Sequence, residues 1–463
     1  MEATTRSLVR LTPDAGRVLA AIRAAGGRPM LVGGCVRDAL MSPGIVSKDI
    51  DVEVYGIADP DILAAAVSGA GKVTEAGKAF GVLKVRAGWT DIDISLPRRE
   101  SKTGAGHRGF AVIPDGTMGF AEASGRRDFT LNAVMADAAT GEVIDCHGGV
   151  DDLKAGILRH TTAAFAEDPL RVLRAVQLAA RFGFRLAPET AVLCRTLAGS
   201  YGELPVERAW CEVEKTGARG TDITAGLRVL AETGWERHFP QVAALHGVPQ
   251  DPAWHPEGDV HVHSGLAADQ AARLADEAGL TGTDRFAVVM AALCHDFGKV
   301  TSTQERGGRI TSHGHAAAGV GPARAFLRSI GCPESTTARI LPLVREHMCC
   351  ATPPTKPAVR RLARRLVPAT LAELVLVCGA DRAGRGDPSA PNGALAWLET
   401  GRGLSVQAEP AKGLLTGDHL IAAGMKPGPA FRPLLADALA AQDAGKFGDE
   451  AGALAWLAAR EAA

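Results

Sequence analysis

The chain has 463 residues, 46% hydrophobic and 22% charged, with a formal net charge of −1. That length exceeds one hydrophobic core and is expected to divide into about three domains. The near-neutral balance excludes nucleic-acid binding through the field of the whole molecule, so any polyanion site must be a local patch. No apolar run approaches the ~18 residues of a membrane span. The nine cysteines, Cys35, Cys211, Cys294 and the adjacent Cys349 and Cys350 among them, lack CxxC spacing. They point away from a zinc knuckle or disulfide framework and towards reduced thiols in the cytoplasm.

In chain order, Arg6, Arg10 and Arg17 lie on an amphipathic pattern without a hydrophobic stretch, which reads as a first helix rather than a targeting peptide. The apolar Met30, Leu31 and Val32 then end in Gly33 and Gly34, followed by a helical CVRDAL. A glycine turn feeding a helix N-terminus lets backbone amides approach a phosphate, and Arg37, one turn in, can face the same anion. KDIDVEVYG reads as a strand with Asp49, Asp51 and Glu53 on one face. A surface edge strand would show the same alternation. GVLKVRAG and DIDISL read as further strands, Asp91 and Asp93 sharing a face, and DILAAAVSGA reads as a helix. Acidic strands beside a phosphate-binding turn suit two-metal phosphoryl transfer, because Mg²⁺ prefers oxygen ligands.

After about Asp151 the pattern turns helical. In EDPLRVLRAVQLAARFGF, Asp168 and Pro169 read as a helix start, Leu170, Leu173 and Val176 as an apolar ridge, and Asp168, Arg171 and Arg174 follow at three-residue steps. In VERAWCEVEKT, Arg208 and Glu212 are spaced to pair on one helix face. The Pro-rich HGVPQDPAWHPEGD precedes a histidine-bearing section, and ATPPTKP and GDPSAPNG read as later breaks. KPAVRRLARRL sets Arg360, Arg361, Arg364 and Arg365 on one side of a helix, a stripe suited to RNA phosphates or simply to solvent. With aromatics at 5%, recognition of a folded RNA by shape is expected rather than base stacking.

GG followed by an acid-x-acid pair resembles the signature of the polymerase-β-type nucleotidyltransferases. LVGGCVRDAL with KDIDVEVYG resembles the class II tRNA nucleotidyltransferases, or CCA-adding enzymes, and their relatives the bacterial poly(A) polymerases. The resemblance implies that Asp49 and Asp51 carry Mg²⁺, with Asp93 a candidate third acid, and that Gly33, Gly34 and Arg37 hold a nucleotide triphosphate. GRRDFTLNAVMAD is similar to the family's RRDFTxNA motif and implies that Arg126 and Arg127 meet phosphates or ribose, with Asp128 and Asn132 holding the sugar or the loop. EDPLR resembles the EDxxR motif, a protein template for the base, which implies that Asp168 and Arg171 read it, Arg174 assists and Glu167 orients the pair. The chemistry suits C and A: a carboxylate accepts from their exocyclic amines and a guanidinium donates to their ring acceptors, whereas U and G place a carbonyl opposite the Asp. VERAWCEVEKT looks like the ERxxxE motif, here assigned a scaffold role. Gln177 and Leu178 replace a common Arg-Phe, and the acidic run before RRDFT is reduced to Glu122.

HVHSG, CHDFGK, TSHGH, REHM and CGADR resemble an HD-superfamily metal site. The ligands implied are His263, His295, Asp296 and Asp381, with His315 and His347 as further ligands or phosphate contacts. The ion would be Mg²⁺, Mn²⁺, Ni²⁺ or another divalent metal, activating water for phosphoester hydrolysis. A structural HD fold without hydrolase activity competes with this.

The expected architecture is a multidomain α+β chain: a polymerase-β-like α/β head over 1–155, an all-α neck and body over 156–250, an all-α HD domain over 251–385 and a helical tail over 386–463. The expected reaction is template-independent addition and repair of the 3′-terminal CCA of tRNA from CTP and ATP, with pyrophosphate release and no membrane partner. The alternatives are poly(A) addition or partial CC or A addition, and an HD phosphohydrolase whose head merely binds RNA.

Overall fold

The computed structural model describes residues 8–75, 82–102, 110–386 and 391–461. Arg6 and half of the GDPSAPNG break, residues 387–390, lie outside them. The first helix, α1 (Pro13–Ala24), begins where Thr12 Oγ1 accepts from Ala15 N at 3.2 Å, with Pro13 in the first turn. Arg10 lies ahead of it, bridged to Val46.

Nine strands follow among the described residues of the head: β1 (Arg28–Val32), β2 (Asp49–Tyr55), β3 (Lys72–Glu75), β4 (Val82–Ala87), β5 (Thr90–Ser95), β6 (Arg98–Lys102), β7 (Phe110–Pro114), β8 (Met135–Asp137) and β9 (Val143–Ile144). Seven form one sheet in the order β3-β4-β5-β2-β1-β8-β9, while β6 and β7 pair as a separate hairpin. The runs expected as strands are β2, β4 and β5; β8, β9 and the hairpin went unread because each is short or lacks alternation. Helices α2 (Gly34–Met41) and α3 (Pro60–Val67) connect the early strands. Ile50, Val52 and Val54 of β2 pack with Ile92 and Ile94 of β5 and with Val18, Leu19, Ile22, Leu63 and Val67 of α1 and α3. Burying each such side chain contributes about 1.5–3 kcal/mol. Alternation therefore commits Asp49 and Asp51 to the opposite face.

In sequence these are followed by α4 (Phe120–Ser124), α5 (Thr130–Ala133), α6 (Gly149–Ala155), α7 (Leu170–Phe182), α8 (Pro188–Thr196), α9 (Val206–Arg219) and α10 (Ile223–Glu232); Ala123 of α4 packs with Met30, Val32 and Met135 on the second face of the sheet. β10 (Ile157–Leu158) and β11 (Arg185–Leu186) pair in parallel on either side of α7 in sequence. The apolar ridge expected on α7 is too narrow: Val172, Ala175, Gln177 and Leu178 are buried too, while Val176 is only half-buried.

The described chain forms two compact units, Met1–Arg208 with Arg228–Trp235 and Ala209–Leu227 with Glu236–Ala463; the four-part division read from the sequence is a finer proposal. In the second unit α11 (Pro240–Ala243) precedes α12 (Val260–Glu277) and α13 (Gly282–Cys294). From Arg285 to Cys294 every residue of α13 is buried. Arg285 is tolerated there because it meets Asp276 at 2.7 Å and donates to the carbonyls of Gly217 and Gly220. Then come α14 (Lys299–Ser302), the hairpin β12 (Gln304–Arg306) and β13 (Arg309–Thr311), α15 (His315–Ala318), α16 (Val320–Ser329), α17 (Glu334–Glu346), α18 (Lys356–Leu366), α19 (Leu371–Ala383) and α20 (Leu395–Gly403). Finally α21 (Gly417–Ala422), α22 (Phe431–Asp443) and α23 (Glu450–Glu461) share a small core of Leu415, Leu420, Ala438, Ala441, Phe447, Ala453 and Leu457. All nine cysteines are free, and no helix among the described residues is long and apolar enough to cross a membrane.

Candidate functional sites

The head's acids are brought together by register. β2 and β5 run parallel with Asp49 opposite Asp91 and Asp51 opposite Asp93, so four carboxylates share one face on strands about 4.8 Å apart. On β4, Lys84 lies 3.1 Å from Asp93, and Arg86 pairs with Asp91. Among the described residues Asp49 and Asp51 have no such ion-pair partner within 4 Å. These side chains line a cleft of about 420 Å³ with Thr74 and Val85.

β1 pairs antiparallel with β2 so that Val32 stands opposite Asp51, which delivers the next residue, Gly33, to that carboxylate. Gly33 has φ +72°, and a Cβ there would fall 3.1 Å from Asp51 Oδ2 and 3.4 Å from Arg127 Nη1. Both conformation and space demand glycine. Gly34 then opens α2. Asp51 is open to solvent, yet desolvation by the surrounding chain raises its pKa; Arg127 opposes the rise, and Asp93 and Asp49 add to it. That is an electrostatic demand for a cation. Arg127 lies 3.9 Å from Glu53, and its buried Nε has no hydrogen-bond partner among the described residues. Glu53, on the same face, is buried and accepts from Tyr55 Oη at 2.7 Å.

In the second unit, helix ends converge. His263 stands in the first turn of α12, started by Asp259 whose carboxylate accepts from Val262 N. His295 caps α13 with Asp296 next, His315 opens α15, His347 caps α17 and Asp381 lies near the end of α19. His263, His295 and Asp296 are 0%, 1% and 1% exposed. His263 Nε2 lies 3.3 Å from His295 Nε2, 3.2 Å from Asp381 Oδ1 and 3.7 Å from Asp296 Oδ2. Asp296 Oδ1 is 3.2 Å from His315 Nε2, itself 3.0 Å from His347 Nε2. Asp296 thus belongs to two ligand groups, one with His263 and His295, the other with His315 and His347.

Every ring is oriented from behind. The Nδ1 atoms of His295, His315 and His347 lie 2.6–2.7 Å from the carbonyls of Ala292, Ser312 and Val344, and that of His263 lies 2.6 Å from Glu257. Such partners fix the tautomer and leave Nε2 for a metal. The donor set fits a divalent ion in the chain's own chemistry. Burial drives the proton from His347, lowered to about 3, while on His263 Asp381 and Glu257 overcome burial and lift it to about 9. Gly298 holds the HDFGK turn close: a Cβ there would sit 2.0 Å from His315 O.

Residues 30–159 match the poly(A) polymerase head domain family and residues 260–383 the HD domain family. The multifunctional CCA protein of Xanthomonas campestris pv. campestris strain B100 is 39% identical over 368 residues, covering 77% of this chain and 85% of that one. That of Pasteurella multocida strain Pm70 is 36% identical, covering 77% and 83%. The chain belongs to the multifunctional CCA protein family. The fold agrees: the Bacillus stearothermophilus CCA-adding enzyme in complex with CTP superposes with TM-score 0.64 at 21% identity, covering 97% of this chain and 98% of that one. The Thermotoga maritima CCA-adding enzyme complexed with tRNA CCA gives 0.53 at 20% identity, covering 96% and 93%.

The motifs of this multifunctional CCA family member are wired together in ways their spacing does not disclose. Arg37 is 4% exposed and spent on Asp38 Oδ1 at 2.6 Å and Asn132 Oδ1 at 2.8 Å, its guanidinium 4.9 Å from the Phe182 ring centre. It therefore braces α2 against the RRDFT segment rather than facing an open phosphate site. Asn132 donates to Asp128, which also pairs with Arg174 of α7. Burial alone would raise the Asp128 carboxyl, but Arg174 with the Asn132 and Phe129 donors keeps it below its usual range.

Asp168, Arg171 and Arg174 part company despite their spacing. Arg171 donates to the carbonyls of Ala164 and Arg126 at 2.8 and 2.7 Å, while Asp168 Oδ2 meets Arg208 Nη2 at 2.7 Å. The expected Arg208–Glu212 pair is absent, since Glu212 meets Lys215 at 2.8 Å instead. Arg126 lies 4.0 Å from the exposed Glu167. The α18 stripe is largely occupied: Arg364 meets Asp443 at 2.7 and 3.0 Å, Arg365 is bidentate on Glu346 at 2.9 Å, and Arg360 reaches the Asp443 carbonyl at 3.5 Å. Carboxylates thus claim Arg364 and Arg365, while Arg361 stays exposed. Sequence reading also missed Glu257 and Lys299, whose Nζ is 2.7 Å from Asp296 Oδ2; only the placement of HPEGD and HDFGK beside named ligands signalled them.

Proposed function

We propose that this protein adds and repairs the 3′-terminal CCA of tRNA, taking CTP and ATP and releasing pyrophosphate. One observation carries the reading: parallel register sets Asp51 beside Asp93, facing the Gly33 turn and an Arg127 whose Nε lacks a partner among the described residues. The names of the relatives and the likeness to CCA-adding enzymes support the substrate class. Asp49 and Asp51 would hold Mg²⁺, which when bound lowers the pKa of an attacking hydroxyl and neutralises a departing pyrophosphate. The amides of the Gly33–Gly34 turn and Arg127 would hold the triphosphate. Asp168 accepts the exocyclic amine of C or A, and Arg171, two of whose five N–H groups are engaged by the carbonyls, donates to the ring. Arg37, Asn132, Asp128 and Arg174 position these groups.

The test is tRNA lacking CCA incubated with CTP and ATP singly and together. Two additions with CTP, three with both and none with ATP alone are expected; long A tails made without CTP would overturn the reading in favour of poly(A) addition.

The buried histidine cluster carries a second activity, hydrolysis of phosphomonoesters or phosphodiesters with a divalent ion held by His263, His295, Asp296 and Asp381. Asp49→Ala with Asp51→Ala is expected to leave hydrolysis intact, and His295→Ala to abolish it while sparing CTP incorporation. A wild-type chain loaded with Ni²⁺, Mn²⁺ or Mg²⁺ that hydrolyses no phosphoester would leave the cluster a structural role only.

A further inference from the structure

β1 and β5 flank β2 in the head's sheet, so β2 begins between two turns. On the β1 side stands the Gly33 turn, assigned above to the triphosphate. On the β5 side stands the two-residue turn Gly88–Trp89 that joins β4 to β5, with Ala87 paired to Thr90 across it. Asp91 N donates to Lys48 O at 2.8 Å, which ties the start of β5 to the residue just before Asp49.

Trp89 is 47% exposed and is the one exposed aromatic ring among the described residues of the head. The turn that carries it is held firmly. Gly88 has φ +61°, as the first position of a type II′ hairpin turn requires, and a Cβ there would sit 2.2 Å from Asp14 Oδ2 of α1. Arg86 Nε donates to Gly88 O at 3.1 Å, and the hydroxyls of Thr12 and the fully buried Thr90 bond each other at 3.0 Å. A large apolar ring is thus fixed in solvent by a rigid turn, about 6.6 Å of strand from Asp91. Lys48 Nζ lies 6.0 Å from the ring centre and has no ion-pair partner within 4 Å among the described residues. An indole face with an unneutralised ammonium beside it suits a nucleobase and the phosphate attached to it.

We infer that Trp89 is the platform on which a base at the 3′ end of the RNA stacks, one or two nucleotides from the attacking hydroxyl, with Lys48 beside its phosphate. The inference deepens the CCA-addition reading and rests on it. The triphosphate takes the β1 side of Asp49 and Asp51, and the RNA end takes the β5 side. Every base has a π-face, so one indole serves unchanged as the terminal base changes with each addition.

The test compares the full chain with Trp89→Ala, using the anisotropy of fluorescein-labelled tRNA lacking CCA, without nucleotide, and the kinetics of CTP incorporation. Trp89→Ala is expected to weaken tRNA binding about tenfold and to raise KM for tRNA by a similar factor, with KM for CTP unchanged. Trp89→Phe restores most of the affinity. An abasic nucleotide at the last or penultimate position of the tRNA costs wild type that same factor and costs Trp89→Ala nothing further. Trp89→Leu, which keeps apolar volume without a π-face, serves where the alanine variant folds poorly. Equal tRNA affinity in wild type, Trp89→Ala and Trp89→Leu would overturn the platform, as would a rise in KM for CTP instead, or an abasic penalty undiminished in Trp89→Ala. A wild-type chain that binds tRNA through Trp89 but incorporates no CTP would keep the platform and sink the addition reading.

Discussion

The head and the histidine cluster meet the same need, a cation, in opposite ways. In the head, Asp49 and Asp51 are solvent-accessible on one strand, set beside Asp91 and Asp93 of the adjacent strand by backbone register, with basic neighbours on the strand after that. In the second unit the ligands are almost fully buried at the ends of separate helices, and each ring is locked by a partner behind it. An open site suits an ion that comes and goes with a nucleotide; a closed one, its ligands withdrawn from the surface, suits a resident ion. Register is cheap to build but leaves electrostatics exposed to solvent, whereas a buried cluster must satisfy every polar atom it encloses.

The largest effect that would sharpen this contrast is Asp51→Ala, expected to lower CTP incorporation by about 10³-fold without touching phosphoester hydrolysis. Radiolabelled CTP and tRNA lacking CCA measure it, and a loss under tenfold would break the idea that the open site depends on this carboxylate. Gly33→Ala comes next, at about 10²-fold, because a Cβ in the cleft displaces Asp51 or Arg127. In the closed site, Glu257→Gln removes the charge behind His263 and should weaken metal binding by about 10–100-fold by calorimetry, with CTP incorporation unaffected. Arg208→Ala, which frees the half-exposed Asp168, should raise KM for CTP and ATP by about fivefold, the scale of a partly exposed ion pair.

The smallest effect separates burial that a metal relieves from burial that nothing relieves. Asp269 of α12 is raised by burial to about 6, although Thr224 N and Oγ1 donate to it at 3.1 and 2.6 Å. A carboxyl with a raised folded-state pKa binds its proton more tightly folded than unfolded. Stability is therefore highest below about 4, falls as pH rises to about 6 and is flat above. Asp269→Asn is expected to raise Tm by a few degrees at pH 7 and to leave it unchanged at pH 4; equal shifts at both would refute the assignment.

Much of the site was legible because its signals are local. Strand alternation put Asp49 and Asp51 on one face, the glycine pair marked the turn, and the histidines sit at helix ends as their apolar runs suggested. Asp168 and Pro169 marked the start of α7 to within a residue. The short strands β8 and β9 and the Phe110–Pro114 hairpin partner carried no such periodicity.

By itself the sequence determined which residues share a face and which family the chain joins, since periodicities of two and 3.6 act over a few residues. The tertiary structure decided who pairs with whom. Arg208 turns to Asp168 rather than Glu212, Arg37 goes inward to Asn132, and Arg364 and Arg365 are taken by Asp443 and Glu346. A charged side chain within reach of several partners settles on the one that packing desolvates with it, and that choice is made across distant segments of the chain.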